Sequence, residues 1–455
     1  MATGVNGHER IGPDTVTASR PHRDPHPLPA DNAKVVLQYP GKISEAEVLA
    51  AVPTSYTLVG VDGAFMPCRE IAPNAVVLSD NFYALHRLLE QRVRATLVYL
   101  DPPFATGMDF HSRRLEHAYT DKLGDAAYLE FMRRRLVLLR ELLTDDGSLY
   151  LHIGHQMVGH LKVLLDEIFG PKSFRNIITR RKCSSKNFTS KQYANIHDYI
   201  LFYTRSANYK WNQPGERPDD AWIEREYPKT DSKGRYKLVP VHAPGTRRGE
   251  TGKPWRGKLP PPGKHWQYAP AKLDELDERG EIHWSQNGNP RRKVYLVADK
   301  LVALSDYWAQ FRDAHHQSIH VTGYPTEKNL AMLRTIIGAS SDAGDLVVDP
   351  FCGSGTTLEA AHLEQRRWIG IDESFAAATA TVQRLRHGTT AMGDYIDRAE
   401  PNPTKKEAQM LFEVGEPVVD MASNVSSPSA PEFSLAVDTE LIEEHAQLIA
   451  RIGSI

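Results

Sequence analysis

An open, doubly wound α/β fold is what this sequence predicts, on three observations. Residues 97–100 form a β-branched and aromatic run of strand length that stops at Asp101-Pro102-Pro103-Phe104. Residues 345–357, DLVVDPFCGSGTT, repeat the pattern: a short apolar strand, an acid, then a glycine-containing turn opening a helix over 356–364. Around and between these runs, strand-length segments alternate with segments of helical period, as a parallel sheet covered on both faces requires. Open sheets of this kind bind ligands at the carboxyl ends of their strands, where both acids fall.

The remaining elements follow in chain order. Residues 1–32 are rich in His, Pro, Arg and Asp with little periodicity, and a disordered tail is expected. His8, His22 and His26 are too irregularly placed to hold a metal. Residues 35–65 are mixed, with a short helix over 44–51. A strand over 75–78 ends at Asp80 and is followed by an amphipathic helix over 81–92. Beyond the Asp-Pro-Pro-Phe stretch, residues 105–124 are polar and aperiodic, a loop suited to ordering only when a partner arrives. Residues 125–143 form a strongly periodic helix, in which the Arg133 to Arg135 run reads as a solvated face. Then come a strand over 148–153, a helix over 156–169 and a hairpin pair over 174–180 and 198–204. A helix over 270–279 precedes another over 324–339, capped near Thr326. The strand at 367–371 ends at Asp372, and a helix over 375–385 ends the fold. Residues 401–432 read as a linker, and 435–452 contain an amphipathic helix suited to dimer contacts or a satellite core.

Composition narrows the class. At 455 residues and 41% hydrophobic content, the chain suffices for one large domain with an added module. No apolar run approaches the ~20 residues of a membrane span, and the N-terminus lacks a signal-peptide core, so a soluble cytoplasmic protein is expected. Cys68, Cys183 and Cys352 are scattered and form no CxxC, which argues against a disulfide framework and a zinc site, and no metal is expected. Cys352, in the glycine turn, reads as a small packing residue.

The chemistry of the two acid-tipped strands is specific. Pro102 and Pro103 lack N–H groups and fix their backbone, so the carbonyls of Asp101 and Pro102 remain open as acceptors. Asp101 adds a carboxylate and Phe104 an aromatic face. Together they suit a flat ligand with an exocyclic amine, such as a flipped adenine. The tetrapeptide alone fits equally well a strand end with a core phenylalanine. In the second stretch Gly353 and Gly355 let backbone approach a ligand closely, with Phe351 before them and Thr356 opening the helix. Asp372 follows Asp349 by 23 positions, near the ~20-residue spacing at which an acid meets a ribose hydroxyl. A P-loop is excluded because no Gly-Lys-Ser/Thr follows, and Leu358 stands where a dinucleotide fingerprint needs its third glycine.

DPPF, DPFCGSGTT and GID together resemble the S-adenosylmethionine-dependent amino DNA methyltransferases. The catalytic tetrapeptide precedes the cofactor glycines, which is the circularly permuted order of that family's β class, over roughly residues 75–390. The resemblance implies a Rossmann-like methyltransferase sheet and S-adenosylmethionine as cofactor. It also implies catalysis by Asp101, Pro102, Pro103 and Phe104, and a cofactor site at Asp349, Phe351, Gly353, Gly355, Thr356 and Asp372. Asp80 is either the family's acid near the cofactor's adenine or a helix N-cap. Thr326 and Lys328 match the family segment that approaches the methionine part of the cofactor, although Asn329 stands where proline is common. In the family, Ser at the position of Asp101 is common in N4-cytosine enzymes, while Asp goes mainly with N6-adenine enzymes. The expected reaction is therefore methylation of adenine N6 in duplex DNA, without a covalent intermediate.

Charge places the DNA partner. Residues 171–270 hold 21 Lys and Arg against 8 Asp and Glu, whereas the whole chain carries a net charge of -2. A basic insert on an acidic body gives a phosphate-binding face without coating DNA indiscriminately. Aromatics are interleaved through it, among them Trp211, Trp222, Trp255 and Trp266, to fill a small core. Residues 242–266 lack a helical or strand period and read as a rigid irregular loop, in which Arg247, Arg248, Lys253, Arg256 and Lys258 are the expected phosphate contacts. The resembling region of the family is its target-recognition domain. The division expected is thus a tail over 1–32, a catalytic half over 33–170 and a basic module over 171–320. A cofactor half over 321–395 and an extension over 396–455 follow. A homodimer and a cognate restriction nuclease are the further partners the resemblance implies. N4-cytosine methylation, a silent DNA-binding relative and an RNA methyltransferase are the rival readings.

Overall fold

The structure is a computed structural model that describes residues 35–103, 109–111, 117–120, 124–183, 191, 193–313, 320–321, 327–391 and 430–455. Phe104, Thr326, the 1–32 tail and nearly all of the 401–432 linker lie outside the described residues. Among the described residues the main sheet has eleven strands. In spatial order they are Tyr307–Trp308, Phe174–Arg181, His197–Thr204, Leu143–Ile153, Ala95–Leu100, Leu346–Asp349, Arg367–Asp372, Ala75–Leu78, Ser434–Asp438, Tyr56–Val59 and Phe65–Cys68. The six from Leu143–Ile153 to Ser434–Asp438 run parallel. Antiparallel strands flank them on both sides.

This order explains where a site forms. From Ala95–Leu100 the chain winds outward to Leu143–Ile153, whereas from Leu346–Asp349 it winds the other way to Arg367–Asp372. The two starting strands are neighbours, with Val348 opposite Val98. The crevice between their outgoing connections is a topological switch point, and Asp101 and Asp349 stand on its two sides.

Alternation within the strands builds two cores. Val98 and Leu100 face helices Asn81–Glu90, Asp125–Leu142 and Val158–Phe169. Leu97 and Tyr99 face helices Leu330–Ser340, Thr356–Leu363 and Phe375–His387. All six residues of Ala95–Leu100 are buried, as a strand covered on both faces demands.

Three expectations are corrected. The fold does not end at the helix after Asp372: Ser434–Asp438 returns to the sheet beside Ala75–Leu78, and only then does helix Thr439–Gly453 begin, capped by Asp438. The apolar SLAV run merges with the helical period that follows it, which hides the strand. The helix expected over 324–339 starts at Leu330, because the Asn329 side chain accepts the Met332 N–H at 3.0 Å and caps it there. The Arg133 to Arg135 run is not a solvated face, since Arg133 and Arg135 are both buried. Arg133 donates to the Ile43 carbonyl at 2.9 Å, and Arg135 donates to Asp80 at 2.8 Å while lying 3.5 Å over the Phe131 ring.

Between Thr204 and Tyr307 the chain forms a module of its own. Strands Lys229–Asp231, Gly234–Pro240, Pro290–Tyr295 and Ile282–Trp284 make a four-stranded sheet. Its core is Val241, Trp255, Trp266, Leu273, Leu276 and Ile282, with the Trp255 and Trp284 rings stacked at 5.0 Å. The irregular loop is closed by the short pair His242–Pro244 with Lys264–Trp266. No helix among the described residues is long and apolar enough to cross a membrane.

Candidate active site

Asp101 is delivered to the crevice because its strand ends there and two prolines prevent continuation. One carboxylate oxygen, Oδ2, is paired with the Lys328 ammonium. The other, Oδ1, is buried and meets no hydrogen-bond donor among the described residues. It lies 3.9 Å from Nδ1 of His152. A buried, unserved acceptor is expensive unless a partner arrives, so this oxygen is suited to an incoming N–H. Pro102 is buried, and the Pro103 carbonyl accepts the Tyr128 hydroxyl at 2.7 Å, which fixes the bend. Lys328 reaches Asp101 because residues 327–329 precede the capped helix and are not wound into it.

The neighbouring strand carries the second acid. Asp349 is buried and accepts the Phe351 N–H at 2.9 Å. Burial, with Asp101 and Asp372 nearby, pushes its carboxyl up to about 7 despite the hydrogen bonds from Thr357 and Phe351. Asp372 accepts the N–H groups of Gly353 and Ser374, each at 2.9 Å. Shielding from water still raises it to about 6. Carboxylates held near neutrality by burial are acceptors awaiting donors, and a ribose or an ammonium group supplies them.

The turn between these acids is built for close approach. Gly355 has φ of +76°, and a Cβ there would sit 2.8 Å from the Thr381 methyl. Thr356 is buried at the helix start, 3.3 Å from the Ser354 hydroxyl. Leu358, where a third glycine would stand in a dinucleotide fingerprint, packs instead on Gly370: a Cβ on Gly370 would clash with the Leu358 side chain. The close helix-to-strand contact is thus made by a small residue on the strand. Burial and the two carboxylates push the Cys352 thiol far up, which keeps it neutral and fits a packing role.

Asp80 accepts the Phe82 N–H at 2.7 Å as a helix N-cap and pairs with buried Arg135 at the same end of the sheet. Asn81 ties that helix to the glycine turn by donating to the Pro350 carbonyl at 2.6 Å. Phe351, half-buried, has its ring 6.1 Å from Phe131.

Several site-side residues escaped the sequence reading. Tyr99, His152, Asp198 and Arg180 form a buried polar row behind Asp101. Their signal is a polar residue on the inward parity of an otherwise apolar strand, as in SLYLHI and HDYILF. Arg384, also buried, donates to the Ser354 carbonyl at 2.7 Å and pairs with Glu359 and Glu327. It therefore links the glycine turn to the residue next to Lys328.

The module's expected phosphate contacts divide into two groups. Arg247 and Arg248 are exposed on the loop. Arg256 is paired with Asp274 and Asp277, Lys253 with Glu250, and Lys258 donates to the Gly288 carbonyl. Arg235 and Arg291, on the module's sheet, are also exposed.

Comparison with known proteins places the chain in a family. The family model described as DNA methylase matches residues 95–383. The chain is 59% identical over 397 residues to the type II methyltransferase M.EcaI of Enterobacter cloacae, covering 87% of each chain. It is 26% identical over 327 residues to the type III restriction-modification enzyme StyLTI Mod subunit of Salmonella typhimurium, covering 63% of this chain and 49% of that one. A crystal structure of M1.HpyAVI with SAM matches with a TM-score of 0.34 at 15% identity, over 68% of this chain and 98% of that one. With a family match spanning both acid-tipped strands and a relative sharing more than half its residues, the chain belongs to the S-adenosylmethionine-dependent amino DNA methyltransferases.

Proposed function

We propose that this enzyme methylates the N6 amine of an adenine flipped out of duplex DNA. The single observation that supports this most is the buried Oδ1 of Asp101, which meets no donor among the described residues, beside the acids of the cofactor site. An aromatic amine has its lone pair spread into the ring, so the protein must hold the N–H groups where that lone pair faces the methyl donor. Asp101 and the Pro102 carbonyl accept those N–H groups. Both become stronger partners as positive charge grows on nitrogen. Phe104 supplies the stacking face.

S-adenosylmethionine, when bound, supplies an electrophilic methyl group. Asp349, Asp372, the turn at Gly353 and Gly355, and Asp80 at the neighbouring strand end are the residues that hold it. Lys328 neutralises Asp101 until the amine enters. Catalysis then rests on positioning, and no residue forms a bond to the base.

The basic module, within residues 171–320, is the DNA-recognition part. Exposed Arg247 and Arg248 contact phosphates, whereas Arg256 shapes the loop through its acid partners. Since M.EcaI is a type II methyltransferase, we further read this chain as protecting DNA against a cognate restriction nuclease.

The test is methyl transfer from labelled S-adenosylmethionine into unmethylated duplex DNA, followed by digestion to nucleosides and mass spectrometry. N6-methyladenine is the expected product. N4-methylcytosine would preserve the pocket and overturn the choice of base.

A further inference from the structure

Behind Asp101 the sheet carries charged groups that the transfer described above leaves unused. His152, Asp198 and Arg180 stand on three adjacent strands, on the face that also carries Tyr150, Ile178, Ile200 and Phe202. All three are buried. Nε2 of His152 lies 3.1 Å from Oδ2 of Asp198, which accepts Nη1 of Arg180 at 3.0 Å. Arg180 continues to Asp313 at 2.8 Å and to the Phe311 carbonyl at 2.7 Å.

Such a row is costly to bury, and well-packed apolar side chains of similar volume would serve stability as well. One layer below, the same strands use apolar side chains for that purpose. The polar layer is the one that touches the site: Nδ1 of His152 is 2.8 Å from the Tyr99 hydroxyl and 3.9 Å from Oδ1 of Asp101. Burial alone would raise Asp198, but the charges of His152 and Arg180 hold its carboxyl well below the usual range. An ionised Asp198 is acceptor-only, so it favours the ring form with the proton on Nε2. In the neutral ring Nδ1 then accepts the Tyr99 hydroxyl. In the charged ring Nδ1–H faces Asp101 and Tyr99 as acceptors.

We propose that His152 is a positioning residue for methyl transfer, braced by Asp198 and Arg180 and acting through Asp101. Its Nδ1 stands against the carboxylate oxygen that Lys328 leaves open, and so sets the orientation and charge that the amine meets. The inference rests on Asp101 as the amine's acceptor. Among the described residues, the charged and titratable groups facing His152 are Tyr99 and Asp101 on and just beyond its neighbouring strand and Asp198 on the other. Arg180 stands beyond Asp198, and Lys328 beyond Asp101.

The test uses His152→Gln and His152→Asn in the full chain, with Asp101→Asn alongside. Gln places an amide near the Nε2 position and keeps Asp198 company, but leaves the Asp101 side empty. Asn places an uncharged amide near Nδ1. Single-turnover rates on duplex DNA are followed across pH, with S-adenosylmethionine affinity and thermal midpoint measured for each protein. The expected result for His152→Gln is a rate lower by roughly ten- to a hundredfold, the loss of the group that holds the Asp101 carboxylate in place, with unchanged cofactor affinity. His152→Asn recovers most of the rate. Wild-type rates in both variants would overturn the proposal. So would equal losses in both, accompanied by lowered midpoints and weakened cofactor binding, which mark a purely structural brace. Wild-type turnover by Asp101→Asn would instead remove the Asp101 reading on which the inference stands.

Discussion

If Asp349 and Asp372 hold the cofactor as proposed, they tie its binding to pH. Their ordinary carboxyl value is 3.8, and in the fold burial lifts them to about 7 and about 6. A carboxyl raised in the folded state gives stability that is complete below the unfolded value and is lost as pH rises through the folded one. The cofactor-free protein should therefore lose stability between about pH 4 and pH 7 from these two groups. Donors on the cofactor favour the ionised forms, so its affinity should rise over about pH 6 to 7 with release of protons. Calorimetry in buffers of different ionisation enthalpy measures that release, and a pH-independent affinity would contradict it. Gly355 gives a second prediction at this scale. With φ of +76° and Thr381 2.8 Å from a new Cβ, Gly355→Ala should weaken cofactor binding. Its thermal denaturation should show a loss of about 1–2 kcal/mol from the left-handed backbone alone.

Among the elements, helix Phe375–His387 does more than cover the sheet. Through Arg384 it holds the Ser354 carbonyl of the glycine turn and two glutamates, one of them adjacent to Lys328. Arg384→Met strands two carboxylates and should destabilise the protein by about 3–5 kcal/mol in denaturant unfolding, with Arg384→Lys recovering part of it. An unchanged midpoint in the Met variant would show the pairs to be idle. This arrangement also shows what the sequence can and cannot convey. Asp101, Asp349 and Asp372 were legible because a local rule, an apolar strand ending in an acid, marks each one. The resemblance directed Lys328 to the cofactor's methionine part, and its pairing with Asp101, 227 positions away in the chain, has no local signal. Arg135, Arg180 and Arg384 were not legible, because a buried arginine is set by partners on other elements and not by its own neighbours. Ser434–Asp438 was missed for a similar reason: its pairing partners lie at the far end of the chain.

At the scale of the whole molecule, an acidic catalytic body carries a basic module inserted between two strands of the same sheet. DNA affinity should therefore depend on salt and be separable from cofactor affinity. Replacing Arg247 and Arg248 together by Ala should raise the KM for DNA and reduce the slope of log affinity against log salt by about 0.9 for each phosphate no longer neutralised. S-adenosylmethionine affinity should not change. An unaltered salt slope would move phosphate binding to other exposed cations of the module, such as Arg235 and Arg291.

The most direct measurement is the turnover of Asp101→Ala on unmethylated duplex DNA, with its S-adenosylmethionine affinity determined on the same preparation. Methylation should fall by at least a hundredfold, about 2.7 kcal/mol or more of transition-state stabilisation, while the cofactor still binds. A variant that binds cofactor and methylates DNA at the wild-type rate would show that the carboxylate at the end of the Ala95–Leu100 strand is not the amine's acceptor.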